Sequence, residues 1–412
     1  MGCPPPRCVK VPPLRDLSAK MAWVNRHDDD GKGSTMRITR IYANNYRCLQ
    51  KFEIALGETS SCILLGRNGV GKSAVRAVLE LFKRIGCGEN AVEDLLGVND
   101  CTFSNWAEPV RFELECLIKN SAYSYTVAFD RPDGFHKARV MEERLSVDGK
   151  NVYRREFGQV YMSRSGDDDG EIKFLLDWHS VALPIVQMRG SDNPLDTFTQ
   201  ALRSMLLLAP VSPLIGAEAN DKDVNLKVDC SNFASWFSDL LKEFPESITE
   251  VKKRLQAALP DFRSVRSEKI GVGSRRLVVA FQRDAQTFEL GFDRLSDGEK
   301  CLFVSAVVIA CNMFRGSTVC FWDEPDNYLA VSEVKPFVTE LKQSFCATQG
   351  QLIVTSHNIE AVTAFTAEQS VVLYRNSHLE PVRTRALKDL VGDGKDFDLP
   401  YKLISGDLYD VE

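Results

Sequence analysis

The segment Gly66-Arg67-Asn68-Gly69-Val70-Gly71-Lys72-Ser73 constrains this chain more than any other stretch, because it demands a strand before it and a helix after it. It fits the phosphate-cradling pattern G-x-x-x-x-G-K-[ST]. Residues 61–65 (Ser-Cys-Ile-Leu-Leu) read as a short buried strand. In residues 74–85, Val75, Val78, Leu79, Phe82 and Ile85 recur at helical spacing. Glycines let backbone N–H groups converge on an anion, and the helix N-terminus adds the positive end of its dipole. Gly66, Asn68, Gly69 and Gly71 would form the cradle, and Lys72 would reach the outer phosphates as a point charge. The Ser73 hydroxyl is a candidate Mg²⁺ ligand.

The rest of the composition sets the surroundings of that loop. With 412 residues the chain can form two lobes or one elaborated domain, and 44% hydrophobic with 26% charged residues is a soluble globular balance. No apolar run approaches the ~18 residues of a membrane span; the richest, residues 301–314, is too short, so no membrane association is expected. A net charge of −6 makes the whole chain no electrostatic magnet for nucleic acid, although a local basic face stays open. None of the twelve cysteines forms a C-x₂-C pair, and most (Cys62, Cys116, Cys301, Cys311, Cys320) sit in apolar patterns. Beside a nucleotide site this reads as a reduced, cytoplasmic protein whose thiols are small core groups. Residues 1–35 carry Pro4-Pro5-Pro6 and Asp28-Asp29-Asp30 and cannot build a core. They are read as a disordered or non-native N-terminal extension, with the folded pattern beginning at Met36.

Residues 36–41 alternate as an opening strand, and residues 52–56 suggest its hairpin partner. Residues 109–130 read as two alternating strands and 140–147 with 152–153 as two more, an antiparallel sheet inserted after the phosphate loop. Residues 166–170 read as a solvated loop, 195–208 as helical, and 233–259 as one or two amphipathic helices ended by Pro260. Strands at 277–281 and 288–290 follow. The last third alternates helix and strand (298–314, 318–322, 333–346, 351–355, a short helix, 371–374), the signature of a parallel sheet.

Three further stretches carry chemistry. The apolar strand Thr318-Val319-Cys320-Phe321-Trp322 ends in Asp323-Glu324. At a strand end beside a phosphate loop, Asp323 suits Mg²⁺ and Glu324 suits orienting or deprotonating a water. Upstream, Ser296 and Gly298 open a helix, where a hydroxyl and free N–H groups can meet an anion; the same residues make a good helix cap. Downstream, His357 follows the strand Leu352-Ile353-Val354-Thr355, where a neutral imidazole could donate to a γ-phosphate oxygen.

In order, these pieces resemble the ABC-type ATPases. Leu295-Ser296-Asp297-Gly298-Glu299-Lys300 is similar to their signature motif, Asp323-Glu324 to the end of the Walker B strand, and His357 to the switch histidine. Within that superfamily, Ile41-Tyr42-Ala43-Asn44-Asn45-Tyr46-Arg47 resembles the "I-x-N-[FY]-R" start of the SMC, RecF and OLD (overcoming lysogenization defect) ATPases, which implies that Arg47 approaches the nucleotide phosphates. Asp323 to Ala330 resembles the "D-E-P-x-x-x-L-H" of OLD-like heads, except that Ala330 stands where histidine is expected. For the glutamine that couples Mg²⁺ to the helical lobe, Gln159 and Gln187 are the candidates.

The resemblance implies an α/β fold: an ABC-ATPase head with a mixed or parallel phosphate-loop sheet flanked by helices, an inserted antiparallel β-sheet and a helical lobe. The implied division is an N-terminal ATPase lobe (36–190), a helical lobe (191–276), a C-terminal ATPase lobe (277–375) and a C-terminal tail (376–412). It also implies ATP and Mg²⁺ as ligands, ATP hydrolysis, and head-to-head homodimers or higher oligomers of dimers. Each ATP would be held by the phosphate loop of one copy and by Ser296 and Gly298 of the other. The tail shows no acidic D-x-D cluster on a parallel-strand pattern, so a nuclease is expected as a separate effector protein, gated by this ATPase in anti-phage defence. The alternative is a RecF-like ATPase acting on DNA in repair; a transporter subunit ranks third. Basic residues gather at Lys252-Lys253-Arg254, Arg263, Arg266, Lys269 and Arg275-Arg276, a pattern read as a solvated helical face rather than a DNA site.

Overall fold

Alternating burial along residues 36–44 and an unbroken apolar run at 61–65 set the two kinds of sheet from which the protein is built. A computed structural model describes residues 35–97, 99–163, 171–188, 193–220, 225–271, 273–316 and 318–391. The expectations for residues 1–34 and for the 166–170 loop lie outside the described residues.

In chain order, β1 (Met36–Asn44) pairs antiparallel with β2 (Phe52–Ala55), and the fully buried β3 (Ser61–Leu65) follows. The glycine turn leads into α1 (Lys72–Gly86), whose Val75, Val78, Leu79, Phe82 and Ile85 are all buried. A short α2 (Val92–Leu95) precedes β4 (Val110–Ile118), β5 (Ser121–Asp130), β6 (Arg139–Val147), β7 (Lys150–Glu156), β8 (Gln159–Ser163) and β9 (Glu171–Leu175). With β1 and β2 these form an eight-stranded antiparallel sheet, ordered β2-β1-β4-β5-β6-β7-β8-β9. The segment that follows is tied to this sheet by the buried Glu143. Its Oε1 accepts the Tyr125 and Tyr153 hydroxyls at 2.9 and 2.7 Å, and the amides of Ala182 and Leu183 donate to the same carboxylate.

Asn193 caps α3 (Pro194–Ser204), accepting the Leu195 N–H. The helix expected through residue 208 stops there, and Leu206–Leu208 form a strand, β10. Next come β11 (Glu218–Asn220), α4 (Phe233–Glu243) and α5 (Ser247–Ala258). Pro245 separates the two helices, because it cannot donate an N–H inside one. Then β12 (Phe262–Lys269), β13 (Ser274–Arg283) and β14 (Gln286–Gly291) join β11 in a four-stranded antiparallel sheet. The region expected as a helical lobe therefore also carries a sheet, and β13 runs across the expected 276/277 boundary.

The last third holds α6 (Asp297–Phe314), β15 (Val319–Asp323), α7 (Val331–Ala347), β16 (Gln351–Ser356), α8 (Ile359–Val362) and β17 (Ser370–Tyr374). Beyond it, β18 (Arg383–Ala386) and α9 (Leu387–Val391) continue the fold, with Leu387 fully buried, where a tail was expected. The six-stranded sheet runs β10-β15-β16-β3-β17-β18, parallel except for β18.

Period-two alternation sends the parallel strands into two cores. Cys62, Leu64, Val319 and Phe321 face α1 and the eight-stranded sheet. Ile63, Leu65, Cys320 and Trp322 face α6, α7 and the four-stranded sheet. Helix α6 is apolar nearly all round because it is enclosed. The described cysteines are free and mostly buried, and burial pushes the Cys62 thiol up to about 12. No described helix is long and apolar enough to cross a membrane.

Candidate active site

The strands β3, β16 and β15 are parallel neighbours in register, with Leu64 opposite Thr355 and Thr355 opposite Asp323. Their C-terminal ends therefore open on one edge of the sheet, where open α/β sheets gather ligands. The glycine turn, Asp323-Glu324 and His357 all leave the sheet there.

Within the turn, Gly69 and Gly71 have φ of 76° and 117°, which residues with a β-carbon adopt at a cost. A β-carbon at Gly66 would lie 2.6 Å from Val70 Cγ1 and 2.9 Å from the Leu373 carbonyl. At Gly71 it would meet Cys48 Sγ at 2.9 Å, so the turn after β1 packs directly on the loop. Lys72 is 5% exposed, and its ammonium donates to the Gly66 carbonyl at 2.9 Å and lies 3.7 Å from Glu324 Oε1.

Ser73 Oγ donates to Asp323 Oδ2 at 2.9 Å, bringing together residues 250 positions apart. A hydroxyl beside a carboxylate is the hard-oxygen donor set that Mg²⁺ takes, so these two residues fit the ion. The same Oδ2 is 3.3 Å from Arg76 Nε, and Oδ1 accepts the Thr355 hydroxyl at 2.5 Å. Glu324 has a left-handed φ of 51°. Its Oε2 accepts from Asn327 Nδ2 at 3.1 Å, and its Oε1 lies 3.6 Å from Nδ1 of the half-exposed His357.

Asp326, two residues on, is buried, and its Oδ1 has no hydrogen-bond partner among the described residues. Burial pushes its carboxyl above the ordinary aspartate value, against the pull of the Ser356 hydrogen bond and of His357. A raised folded pKa contributes stability below the ordinary value, and that contribution is lost as pH rises through the folded one. At pH above its ordinary value the group therefore costs stability. Asp326→Asn is therefore expected to raise the melting temperature at about pH 7.5 and to lose that advantage near about pH 4. Equal shifts at both pH values, read by differential scanning calorimetry, would rule out burial of charge as the cause.

The remaining candidates lie apart from this cluster. Arg47 is held by Asp100, at 3.1 Å, and stacks on Tyr46. Ser296 caps α6 in a capping box with Glu299 and is exposed; Gly298 is half-buried, and a β-carbon there would sit 3.0 Å from the Tyr328 carbonyl. No hydrogen bond joins Ser296 or Gly298 to the phosphate loop of their own chain among the described residues. Gln159 lies on β8 and donates to Phe174, near the far edge of the eight-stranded sheet, while Gln187 is exposed. Ala330 precedes α7 without a capping side chain.

The helical reading of the basic cluster holds only for residues 252–254; Arg263, Arg266, Lys269, Arg275 and Arg276 lie on β12 and β13. Several are neutralised within the chain: Arg254 by Glu250 and Glu340, Arg266 by Glu268 and Glu289, Arg276 by Asp293. Sequence reading passed over Arg76, although its place one helical turn beyond Lys72 puts it on the same face. It also passed over Thr355 and over Arg375, whose guanidinium donates to the Gly69 carbonyl from the β17–β18 connection.

Residues 36–147 match the AAA ATPase domain family model. Among solved structures, an Smc head bound to the C-winged helix domain of ScpA aligns over 86% of this chain and 99% of that one, at 13% identity and a TM-score of 0.50. An SMC head domain from Thermotoga maritima aligns over 85% and 98%, at 12% identity and 0.42. An Smc head domain with an extended coiled coil, bound to the C-terminal domain of ScpA derived from Pyrococcus furiosus, aligns over 87% and 98%, at 12% identity and 0.49. At 13% identity the first of these establishes likeness of fold and nothing more. No curated protein sequence matches the chain. The chain thus carries an AAA-type ATPase domain in an α/β fold that resembles SMC heads.

Proposed function

We propose that this chain is an ATP hydrolase whose nucleotide site is completed by a second copy of itself. The observation that carries the reading is the meeting of Ser73 with Asp323, at 2.9 Å, and of Lys72 and His357 with Glu324, at 3.7 and 3.6 Å, on one sheet edge. In this reading the N–H groups of residues 66–73 and Lys72 hold the β- and γ-phosphates. Mg²⁺, taken by Ser73 Oγ and Asp323, would offset charge on the phosphate oxygens. Glu324 accepts the proton of the attacking water, and His357 steadies the γ-phosphate end. Arg47, whose Nε is engaged by Asp100, would bring its other guanidinium N–H groups to the phosphates.

Ser296 and Gly298 supply the second half from the partner. Their support is position: Ser296 is exposed at the N-terminus of the 18-residue α6 and, among the described residues, its side chain bonds within its own cap. A γ-phosphate shared between copies binds the closed dimer better than the open one, and hydrolysis removes that difference. For the output, the SMC-head fold favours a DNA-handling role of the SMC and RecF kind over the gating of a separate effector, nuclease or otherwise, in phage defence. ATP-strengthened, salt-sensitive duplex binding supports the first; tight binding to a neighbouring gene's product without DNA binding supports the second.

Complementation tests the shared site. Ser296→Arg and Lys72→Ala should each be inactive alone, yet regain ATPase activity when mixed, because a heterodimer keeps one intact site. No recovery on mixing, with both variants folded, removes the shared-site reading.

A further inference from the structure

We propose that Thr355 is a positioning residue that aims both carboxylates of the site; the inference rests on the roles given above to Asp323 and Glu324. Thr355 is fully buried on β16, directly opposite Asp323 on β15. A hydroxyl has one proton to give and lone pairs to receive. Here the proton goes to Asp323 Oδ1, at 2.5 Å, and the oxygen receives the Glu324 N–H, at 3.0 Å. The Thr355 carbonyl receives the same N–H at 3.1 Å.

Two consequences follow from this geometry. With Oδ1 committed to Thr355, the other oxygen of Asp323 is the one left facing Ser73 and Arg76. The carboxylate cannot turn without giving up a bond inside the protein. Glu324 holds a left-handed backbone that a residue with a β-carbon adopts only when its surroundings compel it. The two Thr355 oxygens on its N–H are the compulsion, and they set the direction in which its side chain leaves toward Lys72 and His357. A single buried hydroxyl thus couples the metal-side carboxylate to the proton acceptor beside it.

Thr355→Val keeps the β-branched shape and replaces the hydroxyl with a methyl, whereas Thr355→Ser keeps the hydroxyl and removes a methyl. Each full-length variant would be compared with wild type in three measurements: melting temperature, ATP affinity by calorimetry in EDTA and in Mg²⁺, and steady-state ATPase rate. For Thr355→Val the expected results are ATP affinity in EDTA unchanged within about twofold, loss of most of the tightening that Mg²⁺ gives, and kcat lower by about 10- to 100-fold. Thr355→Ser should restore Mg²⁺ dependence and rate to within a few-fold. If valine does not fold, Thr355→Ala carries the same comparison with serine. Serine as impaired as valine assigns the effect to packing and overturns the proposal, as does a valine variant with wild-type rate and Mg²⁺ response. A wild-type protein without Mg²⁺-dependent ATP binding overturns the parent reading instead, and this inference with it.

Discussion

Glu324→Gln is expected to lower the ATP turnover rate by about 10²- to 10⁴-fold, the range that a positioned general base contributes, while ATP still binds. The argument starts from how little else the change disturbs. Glu324 is anchored through its backbone N–H to Thr355, and that anchor is indifferent to the side chain. Glutamine has the same length and fits the same left-handed position. What it lacks is a lone pair basic enough to take a proton from water, and the negative charge beside Lys72 and His357. Binding, which rests on Lys72 and the loop amides, should persist. A dimer that closes on ATP and opens on hydrolysis should then accumulate closed. Multi-angle light scattering should show the monomer mass without nucleotide and twice that mass with Mg-ATP. A rate within a few-fold of wild type would remove Glu324 as the base. One unchanged mass under both conditions would remove the dimer switch and leave the base assignment standing.

The parts of this site that were legible in the sequence are those whose geometry is local. The glycine turn is set by its own glycines and by the strand and helix on either side, so residues 61–86 read correctly without knowledge of anything distant. Asp323, Glu324 and His357 could be placed at strand ends because the apolar runs before them are unbroken and fully buried strands look like that. Thr355 was not legible as a functional group, because its meaning lies in a bond to a residue 32 positions away on a neighbouring strand. The strand Leu206–Leu208 was hidden for a similar reason. Three leucines after a helix continue a helical pattern equally well, and only parallel pairing with β15, far along the chain, decides the matter. β12 was assigned no element in the sequence, because its spacing hides it. Phe262 and Val265 are its buried positions, three apart, because the register shifts between Phe262 and Ser264. A bulge of this kind turns a period of two into something that resembles a helix.

Lys72→Ala tests the site at its base, and its expected effect is a loss of ATP affinity of about 10²-fold or more. Lys72 is a buried cation whose ammonium is held by the Gly66 carbonyl and faced by Glu324. With ATP bound, Lys72 and a phosphate oxygen would form a buried, hydrogen-bonded charge pair; truncating one partner of such a pair costs about 2–5 kcal/mol of binding, and every 1.4 kcal/mol is tenfold in affinity. The loop itself should survive, because its shape is fixed by Gly66, Gly69 and Gly71 and by the packing of Cys48 on Gly71 rather than by the lysine. Lys72→Arg should fare little better, since a planar fork does not replace a point charge held by the Gly66 and Arg67 carbonyls. Ligand-induced stabilisation gives the readout. At an ATP concentration of about 100 times the wild-type Kd, binding adds about 2.7 kcal/mol; with affinity a hundredfold weaker, the same concentration adds only about 0.4 kcal/mol. The melting-temperature rise on adding Mg-ATP should therefore nearly vanish, while the melting temperature without nucleotide stays near that of wild type. A full ATP-induced rise in Lys72→Ala would mean that the phosphates bind elsewhere. The meeting of Ser73 and Asp323 would then be a structural contact rather than a metal site, and the roles assigned to Glu324, Thr355 and Ser296 would go with it.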